Sequence, residues 1–148
     1  MSGIPIVPPL AALVLFAMWT MALVLAIGAW RIGEVLSGRK KPQEFTPGAP
    51  HGTDAYWRLN RAHLNATENL PVFGALVLAG LYLQVPDTAF QILPSLVLYA
   101  RLTQTIIHVA SGSTVAVTLR LLAFAVQVVS MFAIAAVVLP ATGVPMPW

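Results

Sequence analysis

LAALVLFAMWTMALVLAIGAW, running from Leu10 to Trp30, is twenty-one consecutive residues without Asp, Glu, Lys, Arg or His. At 1.5 Å per residue a helix of this length covers about 30 Å, the thickness of a bilayer's hydrocarbon core. The apolar residues do not alternate with polar ones, so the pattern is that of a membrane helix and not of a barrel strand. Pro8 and Pro9 precede the run and suit a helix start, where a missing amide donor costs nothing. Trp30 and Arg31 give it an interfacial end. The opening Met1-Ser2-Gly3-Ile4 has no basic residue, so a cleaved signal is not expected and the helix is read as retained.

Working outward, three more spans follow: roughly 58–84, 88–110 and 114–139. Pro86-Asp87 and Ser111-Gly112-Ser113 make the short turns between them. Residues 33–57 form the one long polar stretch, with Arg39-Lys40-Lys41, Pro42, Pro47, Gly48, Pro50 and Gly52, and Gly and Pro there exclude a continuous helix. The tail from Pro140 to Trp148 is proline-rich, and Trp148 suits an interfacial anchor. Of the 148 residues 58% are hydrophobic and 9% charged, against about 25% charged in soluble domains; the mean hydropathy is +0.82. The predicted fold is all-α: a single integral membrane four-helix bundle spanning residues 1–148.

The formal net charge of +3 is unevenly placed, with six of the eight Lys and Arg between Arg31 and Arg61. That block marks the first loop as cytoplasmic by the positive-inside rule. The third loop then faces the same side and both termini the other. Nucleic-acid binding is excluded as an explanation, since no soluble basic domain is present to perform it. The chain has no cysteine, which rules out disulfide relays, thiolate metal sites and a cysteine nucleophile.

Ionisable groups inside membrane spans are costly and need a reason. On the second span Arg61, Asn65 and Glu68 are spaced i, i+4, i+7 and share a face, while His63 lies about 200° around from Arg61. On the third, Arg101, Gln104 and His108 share a face, and on the fourth Arg120 and Gln127 do. Glu68 sits about 15 Å from the cytoplasmic end of its span and Arg101 roughly 13 Å from that of its own. The matched depths predict a buried Glu68–Arg101 ion pair, because either alone is an unpaired charge in hydrocarbon. With Arg31 and Arg120 on the same side, the spacing predicts one cavity rich in guanidinium. Such a site suits an anionic, peptide-like ligand bound through carboxylates, with Glu68 and Asn65 available to an ammonium or amide. A lipophilic second substrate can reach it from the bilayer. A second reading of Arg61, Asn65 and Glu68 is interhelical hydrogen bonding without a ligand, and of Arg101 a purely structural pairing with Glu68.

The segment Arg61-Ala62-His63-Leu64-Asn65-Ala66-Thr67-Glu68-Asn69-Leu70-Pro71-Val72-Phe73 resembles the signature of the MAPEG family, the membrane-associated proteins in eicosanoid and glutathione metabolism. It is most similar to a bacterial-type member of the microsomal glutathione transferase branch. The resemblance implies a homotrimer that holds glutathione as co-substrate between adjacent subunits near the cytoplasmic side. Arg61, His63, Asn65, Glu68 and Arg101 are similar to the family's glutathione-contacting positions, and Arg31 to the arginine ending its first span. Arg120 resembles the fourth-span arginine that stabilises the glutathione thiolate, and is the expected catalytic residue. Two positions of the glutathione contact differ: Gln104 stands where the family often has histidine, and His108 where it commonly has tyrosine.

A free thiol of pKa about 8.5 is mostly protonated at neutral pH, and a nearby guanidinium favours the nucleophilic thiolate. The expected activity is a glutathione-dependent transferase or peroxidase acting on lipophilic electrophiles or lipid hydroperoxides at the membrane. The alternative is a non-catalytic lipid-binding scaffold or an accessory subunit of a larger membrane assembly. A small transporter fits poorly, because the polar residues stop in one half of the spans.

Overall fold

The computed structural model describes residues 5–46 and 52–143. The Pro47–Pro50 part of the first loop and the Trp148 anchor lie outside them. Four α-helices are present: α1, Pro9–Leu36; α2, Asp54–Tyr82; α3, Thr88–Ala110; and α4, Thr114–Val138. Short 3-10 turns occupy Pro42–Glu44 and Leu139–Thr142. Each helix is long and apolar enough to cross a membrane, and the described residues contain no strand. The molecule is an integral membrane four-helix protein, as its hydropathy predicts.

The helix ends follow from local chemistry. Pro9 takes the first helical position of α1. That helix continues six residues past the expected end at Trp30, because Arg31 to Leu36 contain no breaker strong enough to stop it; it closes at Gly38, whose φ of +70° favours glycine. α2 begins four residues before the expected Arg58, since the Thr53 side chain accepts a bond from the Tyr56 amide at 3.3 Å and so fixes its N-terminus. Asp87 caps α3 through the Ala89 amide at 2.6 Å, and Ser113 caps α4 through that of Ala116 at 3.3 Å.

The helices alternate in direction, so the C-terminal ends of α1 and α3 and the N-terminal ends of α2 and α4 share one side of the bundle. α3 is central and packs against each of the other three helices, most extensively against α4. It buries ten of its 23 residues, whereas α1 buries the single stripe Pro9, Ala12, Phe16, Thr20, Leu23 and Ile27. The core face of α2 runs through Ala62, Ala66, Phe73, Val77 and Gly80. Phe73 meets Phe16 of α1 with ring centroids 5.4 Å apart. Gly80 is a close-packing position: a Cβ there would overlap the Phe90 ring, while one at Gly74 would find ordinary van der Waals room. The extended segment before α1 is tied to α3, as the Ser95 hydroxyl accepts from the Val7 amide at 2.7 Å and the Tyr99 hydroxyl donates to the Pro5 carbonyl at 2.9 Å.

Candidate functional site

Three helices bring polar side chains to one cleft near the end of the bundle that carries the first and third connections. α2 contributes Arg61 and Asn65, one turn apart. α3 contributes Gln104 and His108, also one turn apart. α4 contributes Arg120 together with Val117, Leu121 and Phe124, and the open cleft has a volume of about 240 Å³. Gln104 and His108 are buried, Asn65 and Arg120 half-buried, and Arg61 exposed. No carboxylate lines the cleft, so its two guanidinium groups leave it positive.

The closest polar contact in the cleft joins Arg120 to His108, with Nη1 2.7 Å from Nδ1. A guanidinium has donors only, so Nδ1 must be the acceptor and the imidazole carries its proton on Nε2. Asn65 keeps its side chain for the cleft, because its backbone carbonyl, and not its amide, accepts from Asn69 Nδ2 at 2.7 Å. Arg58, one turn before Arg61, donates from Nε to the Val109 carbonyl at 3.2 Å. It thereby satisfies a carbonyl left free at the C-terminus of α3.

Four of the residues expected at the site lie elsewhere in the chain. Arg31 is within α1, not at its end; its Nε donates to the Tyr56 hydroxyl at 2.6 Å and its guanidinium lies over the Phe45 ring, 5.4 Å from the centroid. His63 is half-buried and does not line the cleft. Arg101 is 1% exposed, inside the bundle, with its guanidinium 5.5 Å from the centroid of the Phe16 ring.

The predicted Glu68–Arg101 ion pair does not form within the chain. Among the described residues the ion pair present is Arg39–Glu34 at 2.9 Å, and Nε and Nη2 of Arg101 have no hydrogen-bond partner. Glu68 is exposed, although it acts on Arg101 electrostatically. The reason is angular. Ala66 marks the core face of α2, and two residues later the side chain points about 200° away from it. Depth along the two helices matches, but direction does not.

The cleft also contains residues that the polar pattern alone does not mark. Val117, Leu121 and Phe124 follow from Arg120 at helical spacing and supply an apolar wall; that periodicity was the available signal. Tyr56, 1% exposed, anchors Arg31 and becomes a helical position once Thr53 is recognised as the cap of α2.

Fold and site together define a class: a polytopic helical membrane protein with a positively charged cleft between three of its helices near one end of the bundle. Residues 9–139 match the sequence model of the MAPEG family, and the chain belongs to that family. A comparison with curated proteins gave no match.

Proposed function

We propose that this protein is a glutathione-dependent transferase or peroxidase acting on lipophilic substrates in the membrane, with Arg120 as its catalytic residue. The observation that carries the reading is the pairing of two guanidinium groups, Arg61 and Arg120, in a cleft with no lining carboxylate. Glutathione presents two carboxylates, one ammonium and a thiol, so it is a net anion at neutral pH and fits that charge balance. Arg61 is assigned to a carboxylate, where a guanidinium fork binds two oxygens at once. Asn65 and Gln104 offer amide groups to its peptide units, and Glu68 is assigned to the ammonium. Membership of a family tied to glutathione and eicosanoid metabolism supports the same assignment.

The cleft is smaller than the roughly 300–1,000 Å³ of a self-sufficient ligand pocket. Glu68, near the middle of α2, is exposed in the single chain, an unfavourable place for a charge beside lipid. Both observations support a homotrimer in which a neighbouring subunit closes the site and covers Glu68. Arg31 and His63, outside the cleft of one chain, enter the proposal as groups supplied by that neighbour, and Arg101 as a buried positive charge behind the site. The basic first loop supports a cytoplasmic orientation for this end of the bundle, with both termini on the other side.

Arg120 acts by stabilising negative charge on sulfur as the thiol proton leaves to water. The thiolate then attacks an electrophilic carbon, forming the S–C bond as the leaving group departs with its electron pair. With a hydroperoxide, two glutathione molecules are oxidised to the disulfide while the peroxide becomes an alcohol and water. An apolar groove lined by Asn69, Val72, Leu76, Val128, Met131, Phe132 and Ala135 continues along the same α2–α4 seam deeper into the bundle. It suits the lipophilic partner.

The test is conjugation of glutathione to 1-chloro-2,4-dinitrobenzene by the purified protein, with glutathione binding followed by calorimetry. Arg120→Ala is expected to lower kcat roughly 100-fold, and to weaken glutathione binding less than Glu68→Ala does. Absence of both binding and conjugation in the wild type would overturn the assignment and leave the lipid-binding scaffold as the reading of the apolar groove.

A further inference from the structure

The imidazole of His108 is placed to do something other than touch the ligand. Its Nδ1 is 2.7 Å from Arg120 Nη1, and His108 is 8% exposed at the inner wall of the cleft, next to Gln104. An arginine side chain has four rotatable bonds, and fixing it at one point in a partly solvated cleft needs an acceptor, since the guanidinium offers donors alone. Among the side chains lining the cleft, those with acceptor atoms are Asn65, Gln104 and His108, and the one bonded to Arg120 is His108.

We infer that His108 is a positioning residue: its neutral imidazole anchors the Arg120 guanidinium in the orientation that stabilises the thiolate. This rests on the glutathione reading above. The geometry argues against the more obvious role. A general base needs a free lone pair, and in this arrangement the Nδ1 lone pair is taken by the guanidinium while Nε2 carries a proton. The thiol proton is therefore assigned to water and not to His108.

A pH dependence follows from the same bond. Protonation of His108 removes the acceptor and turns a donor–acceptor pair into two facing cations. The charged groups facing His108 are Arg58 and Arg61 from α2 and Arg120 from α4, so no carboxylate is there to bridge them. Arg58, which donates to the Val109 carbonyl, has donors alone and cannot substitute as an anchor. Thiolate stabilisation is thus present while His108 is neutral and is lost as the pH falls through its titration.

Two variants separate this role from a structural one. His108→Phe keeps the ring volume without an acceptor. His108→Asn places a carbonyl oxygen near the position of Nδ1 without a titrating group. In the glutathione-bound protein, His108→Phe is expected to lower kcat roughly 10- to 100-fold, to leave the KM for glutathione nearly unchanged, and to diminish the ultraviolet absorbance of the bound thiolate. His108→Asn is expected to recover most of that loss and to abolish the acid-side inflection of the kcat profile attributable to histidine. Unchanged thiolate absorbance and kcat in His108→Phe would overturn the inference. So would an acid-side inflection that persists unaltered in His108→Asn. Nitrogen NMR of labelled histidine in the ligand-free protein tests the pair independently of glutathione: His108 should be the Nε2–H tautomer in the wild type, and its Nδ1 resonance should move in Arg120→Leu. If that resonance moves but the wild type binds no glutathione, the pair stands as an anchor and it is the glutathione assignment that fails; if it does not move, the anchor itself is wrong.

Discussion

Arg101 is a cation placed where an unpaired charge is hard to keep. It is 1% exposed, its guanidinium faces the Phe16 ring, and Nε and Nη2 have no hydrogen-bond partner among the described residues. The ring face recovers about 2 kcal/mol in a desolvated pair, less than the several kcal/mol that burying an ion costs. A neutral side chain of similar length is therefore favoured on stability alone. Arg101→Met is expected to leave the thermal midpoint of the detergent-solubilised protein unchanged or to raise it, by a free energy of about 1–4 kcal/mol at most. Thermal unfolding followed by circular dichroism measures this. A large fall in the midpoint would instead mean that Arg101 has a counter-ion in the assembled protein, with Glu68 the nearest candidate. At this scale the sequence places Arg61, Asn65, Gln104, His108 and Arg120 near one end of the bundle, with 61/65 and 104/108 each one turn apart, and all five line one cleft. It does not separate them from Glu68, Arg101 and Arg31, because depth is readable from residue counts whereas the direction a side chain faces within a bundle is not.

At the scale of the helices, capping decides where α2, α3 and α4 begin, and close packing decides how α2 and α3 meet. Thr53, Asp87 and Ser113 each accept an amide at a helix start. α2 consequently starts upstream of its most polar residues, which brings Tyr56 and Arg58 onto helical turns where they hold Arg31 and the end of α3. At the opposite end, Gly80 lets the Phe90 ring of α3 lie directly on the α2 backbone. Phe90 is 1% exposed, so the ring has nowhere to yield. Gly80→Ala is expected to destabilise the folded protein by about 1–3 kcal/mol, in spite of alanine's better helix propensity, because overpacking outweighs it. Gly74→Ala, in ordinary van der Waals room, should be neutral or slightly stabilising. Thermal midpoints of the two variants, compared in the same detergent, check the contrast.

The whole molecule has a central helix, α3, and three others arranged around it, so the outer faces of α1, α2 and α4 remain open. On α1 and α4 these faces are almost wholly apolar and suit lipid. The outer face of α2 differs: Arg61, Leu64, Glu68 and Val72 are all exposed and succeed one another along one side. Two charges on a membrane helix need polar company, which a second copy of the chain would provide in the proposed trimer. The absence of cysteine makes this simple to examine, since one introduced thiol is the only one present. Leu64→Cys is expected to give covalently linked dimers when membranes are treated with an oxidant and resolved on a denaturing gel. If no dimer forms, Leu64 does not meet its own copy across a subunit interface.

The sequence by itself determined the membrane environment, the number of spans and their order. These are local properties: twenty apolar residues can span a bilayer whatever surrounds them, and the Pro86-Asp87 and Ser111-Gly112-Ser113 turns separate the later spans. It also determined the side of the bundle where the polar groups collect, because antiparallel neighbours fix depth. Only the tertiary structure decided which of those groups meet. The rotation of each helix about its axis is set by packing against its neighbours, through contacts such as Phe16 with Phe73 and Gly80 with Phe90 that are remote in sequence. That rotation turned Glu68 outward, buried Arg101 against a ring, and set His108 beside Arg120, so that a position distinguished in the sequence by its departure from the family pattern bonds directly to the proposed catalytic arginine.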